Sequence, residues 1–161
     1  MLETGTVAPE FILPDESGKE VSLSDLLQSG PLILYFYPAD FTPGCTREAC
    51  AFRDIHDDVV GVGLQIVGVS PQDVDSHKRF RDQHELPFRL LSDPEKVAIR
   101  MYDVDGPFGV GVRRATYLIN QGKKIQAALL ADVLIGRHRE FVEKAVILRE
   151  TAGMRKSNQD Y

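Results

Sequence analysis

Six consecutive apolar or aromatic residues, Leu32-Ile33-Leu34-Tyr35-Phe36-Tyr37, ended by Pro38, leave this chain few folds to choose from. The run has the length and composition of a strand, and no alternation in it offers one face to solvent. Such a strand is buried on both faces, as in a sheet with helices above and below. Ala39-Asp40-Phe41-Thr42-Pro43-Gly44-Cys45 follows directly. Thr42 before Pro43 reads as a helix start, because a hydroxyl can cap free backbone N–H groups and proline tolerates the first helical position. Cys45 then falls in the first turn, where unpaired N–H groups and the helix dipole favour a thiolate over a thiol. Most free cysteines are inert packers. This one lies outside the carboxyl end of a strand, the position where open α/β folds put ligands.

The rest of the chain supplies the other layers. Phe11-Ile12-Leu13 and Glu20-Val21-Ser22-Leu23 flank the turn-rich Asp15-Glu16-Ser17-Gly18-Lys19, which predicts an N-terminal β-hairpin. Ser24-Asp25-Leu26-Leu27 starts a short helix that Gly30-Pro31 stops. From Cys45 to about Asp58 the spacing of Phe52, Ile55 and Val59 predicts a helix, and Leu64 to Val69 a second buried strand in a right-handed βαβ unit. Ser70-Pro71-Gln72-Asp73 opens a helix to about His84, Phe88 to Leu91 reads as a short strand, and the capping box Ser92-Asp93-Pro94-Glu95 opens a helix to about Tyr102. Residues 103 to 111 are glycine-rich and irregular, without the pattern of a phosphate loop. Arg113 to Ile119 and Lys124 to Leu130 form strands around the turn Asn120-Gln121-Gly122-Lys123, and an amphipathic helix runs from about Gly136 to Arg149.

A chain of 161 residues suits one domain, here residues 1–150 with a polar, loose tail at 151–161. Such a domain buries roughly 70% of its unfolded surface and needs no staples. Two cysteines are too few for a secreted disulfide scaffold. The opening residues have neither a basic region nor an apolar core, so a soluble cytoplasmic protein is expected, with its thiols held reduced. No apolar run reaches membrane-spanning length. A net charge of −5 with mixed signs speaks against nucleic-acid binding, which needs a basic face. His56, His77, His84 and His138 form no close metal-ligand pair and read as surface or packing residues.

Pro38-x-x-x-Thr42-x-x-Cys45 resembles the peroxidatic signature of the peroxiredoxins. The longer stretch from Phe36 to Glu48, with Phe52-Arg53-Asp54, is similar to their Q subgroup, also called bacterioferritin comigratory proteins. Gly68-Val69-Ser70, Leu86-Pro87-Phe88, Leu91-Ser92-Asp93-Pro94 and Arg114-x-Thr116-Tyr117-Leu118-Ile119 extend the likeness to residues 5 to 148. Asn120 departs from a common aspartate, and the loop before Arg113 is short and lacks a tryptophan common there. The resemblance implies a thioredoxin-like fold: a central mixed β-sheet flanked by helices, with the N-terminal hairpin.

It also implies reduction of hydrogen peroxide or an organic hydroperoxide, in antioxidant defence, by a Cys45 thiolate that becomes a sulfenic acid. A free thiol with a pKa near about 8.5 is already a few per cent thiolate, so full ionisation gains roughly 30-fold at most. The larger share must come from donors around the departing oxygen. The resemblance assigns Arg114 as the cationic donor and Thr42 as a hydroxyl at the thiolate or peroxide. If both lie in the strand, Arg113 and Arg114 point to opposite faces, so at most one reaches the thiol. Glu48, one turn beyond Cys45, either pairs with the arginine or is exposed, and is not counted in the site.

Cys50 occupies the subgroup's frequent resolving position. In an intact helix, residues five apart have Cα atoms about 8.6 Å apart on nearly opposite faces, whereas a disulfide needs less than about 7 Å. A Cys45–Cys50 disulfide therefore requires the helix start to unwind. Thioredoxin or a glutaredoxin would reduce it, with no metal, flavin or haem, and the resemblance leans towards a monomer. Two rival readings stay open. A thiol-disulfide oxidoreductase would normally show two cysteines separated by two residues, which do not occur here. A non-enzymatic redox sensor would use the same unwinding to change a binding surface.

Overall fold

The structure, a computed structural model, describes residues 1–157. An antiparallel hairpin of β1 (Ile12–Pro14) and β2 (Glu20–Ser22) opens the chain. Asp15 closes its turn by accepting from the N–H groups of Ser17 and Lys19. Ser22 caps α1 (Leu23–Gln28), accepting from the Asp25 N–H, and leads to the apolar run as β3 (Leu32–Phe36). Helices α2 (Pro43–Asp54) and α3 (His56–Gly61) lead to β4 (Gln65–Ser70), and α4 (Val74–His84) to β5 (Arg89–Ser92). Then come α5 (Val97–Met101), a 3-10 turn at Pro107–Gly109, β6 (Ala115–Ile119), β7 (Ile125–Leu130) and α6 (Gly136–Ser157).

The five longer strands form one mixed sheet in the order β5-β4-β3-β6-β7. β3 pairs parallel with β4 and antiparallel with β6, and every one of its residues is buried. Alternation along β3 divides the core. Leu32, Leu34 and Phe36 join the hairpin, α1 and α5 on one face. Ile33, Tyr35 and Tyr37 join Cys45 and Phe52 of α2, Phe80 of α4 and Val142 of α6 on the other. The Cys45 segment is thus anchored on the face that carries the longer helices.

Several element bounds differ from the sequence reading for local reasons. The helix after Cys45 breaks at Ile55, whose backbone (φ −108, ψ 7) leaves the helical region and separates α2 from α3. The helix expected from Ser70-Pro71 starts at Val74, because Asp73 is the cap and accepts from the Ser76 N–H. The capping box at Ser92 does not open a helix directly. The chain first turns through Lys96 at φ 56, and the Asp93 carboxylate accepts from the N–H groups of Val97 and Ile99. α6 continues past Arg149 through Ser157, so residues 151–157 are exposed helix rather than loose chain. The end of the expected tail, 158–161, lies outside the described residues.

Candidate active site

β3 ends against a loop, Tyr37 to Thr42, that turns the chain into α2 and delivers Cys45 to the third helical position. Cys45 is a free thiol with only 2% exposure. The expectation that the Thr42 side chain caps this helix is not met. Its hydroxyl is turned into the loop, donating back to the Ala39 carbonyl at 3.0 Å, and accepts from no N–H of α2. The first-turn N–H groups of α2 thus receive no side-chain cap from Thr42. Gly44 packs closely against two side chains. A Cβ there would lie 3.0 Å from Ile135 Cδ1 and 3.3 Å from Arg114 Nη2.

Arg114, immediately before β6, brings its guanidinium across to α2 and donates from Nη2 to Cys45 Sγ at 3.3 Å. Its neighbour turns away: Arg113 pairs with Asp132 at the surface. Asp132 also accepts from the Arg114 N–H, so the segment after β7 holds the Arg114 backbone and the Arg113 side chain. On the far side, Arg114 Nη1 lies 3.3 Å from Glu48 Oε1, and Glu48 is 1% exposed. Burial pushes the Glu48 carboxyl up to about 7, although the Arg114 charge opposes the rise. Burial alone would lower Arg114, but the charges of Glu48 and Cys45 outweigh it and raise its pKa. Nε and Nη1 of Arg114 are buried and make no hydrogen bond among the described residues, Nη1 meeting Glu48 only as an ion-pair contact.

His138, at the start of α6, closes the far side of Glu48 at 3.8 Å. Its Nε2–H donates to the Ala131 carbonyl at 2.9 Å, which leaves Nδ1 to accept from the Thr116 hydroxyl at 2.7 Å. Burial, helped by the nearby charge of Arg114, lowers its pKa, so it faces Glu48 as a neutral ring. Beside Arg114 opens a cleft of about 510 Å³ whose walls include Pro38, Val110, Val112 and Asp132.

The four residues expected in the site do not all meet. Cys45 and Arg114 are in contact, and Thr42 stands at the helix start with its hydroxyl turned to Ala39. Cys50 is a free, half-buried thiol farther along the same unbroken helix. As folded, α2 keeps the two sulfurs on nearly opposite faces. The sequence reading set Glu48 aside, although its position one turn from Cys45 on the same side was the available signal. It placed His77 and His138 among surface or packing residues. Both are fully buried, and each has both ring nitrogens engaged.

Residues 4–128 match the model of the AhpC/TSA family. A chloroplastic peroxiredoxin Q of Gentiana triflora is 42% identical over 123 residues, which cover 76% of this chain and 56% of that protein. A putative peroxiredoxin bcp of Coxiella burnetii is 41% identical over 132 residues, covering 78% of this chain and 87% of that one. The chain thus spans little more than half the length of the plant relatives but most of the bacterial one. The crystal structure of the peroxidoxin BcpB from Mycobacterium tuberculosis superposes with a TM-score of 0.86 at 32% identity, covering 92% of this chain and 98% of that one. The mixed sheet with its hairpin is accordingly the thioredoxin-like fold of these proteins, and the chain belongs to the AhpC/TSA family, in its peroxiredoxin Q and bacterioferritin comigratory group.

Proposed function

We propose that the chain is a thiol peroxidase that reduces hydrogen peroxide and organic hydroperoxides. The observation that carries this reading is the buried Cys45 sulfur held 3.3 Å from the Arg114 guanidinium. The Cys45 thiolate attacks the terminal oxygen of ROOH, the S–O bond forms as the O–O bond breaks, and RO⁻ leaves and takes up a proton as alcohol or water. Arg114 N–H groups and the first-turn N–H groups of α2 stabilise charge on the two peroxide oxygens, which is where the transition state needs it. Thr42 has committed its only hydroxyl proton to Ala39, so towards a hydroperoxide O–H its oxygen acts as an acceptor. The apolar walls of the cleft beside Arg114 suit an organic group on the peroxide.

The Cys45 sulfenic acid is then resolved by Cys50. The Cys50 thiolate attacks the Cys45 sulfur, hydroxide leaves as water, and an intramolecular disulfide forms after the start of α2 has unwound. An external dithiol, thioredoxin or a glutaredoxin, returns two electrons and two protons. On this reading the protein works in a reducing compartment such as the cytoplasm, as a monomer.

The test is thioredoxin-coupled NADPH consumption with hydrogen peroxide for wild type, Cys45→Ser and Cys50→Ser. Turnover is expected in wild type only, with one sulfenic acid trapped per chain in Cys50→Ser. Unchanged turnover in Cys50→Ser would leave a one-cysteine peroxidase, and an inactive wild type would overturn the enzymatic reading.

A further inference from the structure

The two steps just described make opposite demands on one short segment. Peroxide attack needs Cys45 held against Arg114 inside its helix, and disulfide formation needs it released. Whatever fastens the segment between β3 and α2 must therefore set the balance.

One buried group does the fastening. Asp40, in the middle of that loop, sends its carboxylate away from Cys45 into the interface with α4. Oδ1 accepts from the Tyr37 hydroxyl at 2.7 Å, and Oδ2 accepts from the Ser76 hydroxyl at 2.8 Å. Oδ2 also lies 2.7 Å from His77 Nδ1, with both side chains fully buried. The other His77 nitrogen is 3.0 Å from the Leu91 carbonyl, a pure acceptor, so it carries a hydrogen. One further proton is shared between His77 Nδ1 and Asp40, and the pair is neutral overall wherever that proton sits. Beside it, Phe41 takes a left-handed backbone (φ 62) and packs edge-on against Phe80 of α4 at 5.3 Å, with Arg79 over its ring. Four residues of one stretch of α4 thus grip two adjacent residues of the loop. The Thr42 hydroxyl, by contrast, bonds only within the loop.

We propose that Asp40 and His77 are positioning residues that latch the Cys45 segment in its helix and so trade peroxide attack against disulfide formation. The proposal rests on the peroxidase reading and deepens it. Removing the latch leaves Arg114, Glu48 and Cys45 chemically intact but raises the share of chains in which the start of α2 is open. Attack slows because fewer thiols sit at Arg114. Resolution speeds up because more sulfenic acids are within reach of Cys50.

The chain contains no tryptophan, so the steps are followed by rapid quench and mass spectrometry. The dimedone adduct of Cys45 and the disulfide are counted after one equivalent of hydrogen peroxide. For Asp40→Asn and His77→Gln the expected result is sulfenic acid formation slowed and disulfide formation accelerated by factors whose product is about tenfold, the least that loss of a buried charge-assisted bond implies for the open-to-closed ratio. Ser76→Ala removes one of the Asp40 contacts without touching the pair, and is expected to move both rates a fewfold in the same two directions. It carries the test if the other variants do not fold. Both rates unchanged, or both lowered together as general loosening would cause, overturns the latch. A wild type that forms no sulfenic acid or no intramolecular disulfide overturns the peroxidase mechanism and the latch with it.

Discussion

Glu48 is a carboxyl group buried one turn from the reactive thiol, and its protonation carries a stability signature. Its pKa rises from 4.5 to about 7 on folding, chiefly because burial disfavours the charged form. The folded chain therefore holds this proton more tightly than the unfolded chain, and the stability that results is full below about pH 4.5 and is lost as pH rises to about 7. In Glu48→Gln this slope vanishes. Urea unfolding at about pH 5 and about pH 7.5 is expected to show the variant losing roughly 2 to 3 kcal/mol less between the two than wild type does. An equal loss would mean that Glu48 ionises in the fold as it does in the open chain. At about pH 7.5 the variant also leaves Arg114 without its buried counter-charge, so its absolute stability falls there.

Among the elements, the segment between α5 and β6 shows how a charge can substitute for a core. Val104 and Val112 anchor its base in the core, but Phe108 and Val110 stand fully or mostly in solvent, so burial does not hold the tip of this loop. Lys96 does. Its left-handed backbone turns the side chain so that the three ammonium hydrogens meet Asp105 Oδ1, the Gly109 carbonyl and the Gly111 carbonyl at 2.8 to 2.9 Å. These bonds saturate the group. Val110 and Val112 in turn wall the cleft beside Arg114. Lys96→Met is expected to speed amide hydrogen exchange across residues 105–112 by about tenfold while the sheet keeps its protection. Unchanged exchange in that segment would show the loop to be self-supporting.

For the molecule as a whole, β3 is the member that both faces of the core share, and its fit against β4 has little slack. Gly68 lies directly opposite Tyr35 in the parallel pair. A Cβ on it would stand 2.8 Å from Tyr35 Cζ and 2.9 Å from Leu90 Cδ2, both fixed in the core. Gly68→Ala is expected to lower unfolding stability by about 1 to 3 kcal/mol, the range for an overpacked interior, read as a lower urea midpoint at unchanged slope. Tyr35 packs on Tyr37 and Phe52, so the same substitution presses through the aromatic layer towards the reactive segment. A midpoint equal to that of wild type would mean the Tyr35 ring has room to move.

The sequence alone was enough for whatever is local. An apolar run with no polar face becomes the central strand, Thr42-Pro43 becomes a helix start, and Cys45 and Cys50 fall five residues apart on one helix whatever surrounds them. Helix starts were legible to within a few residues. Their true caps at Asp73 and Asp93 were not, because several polar residues compete at each start and only the path of the chain selects one. Long-range polar pairing was decided by the tertiary structure. Glu48 becomes a buried partner of Arg114 only because β6 crosses beside α2, and Asp40 meets His77 only because α4 packs across the loop. A charged residue's spacing along the chain says which side of a helix it occupies. Whether that side faces water or another charge depends on elements distant in sequence, and that difference sets the cost of burying it.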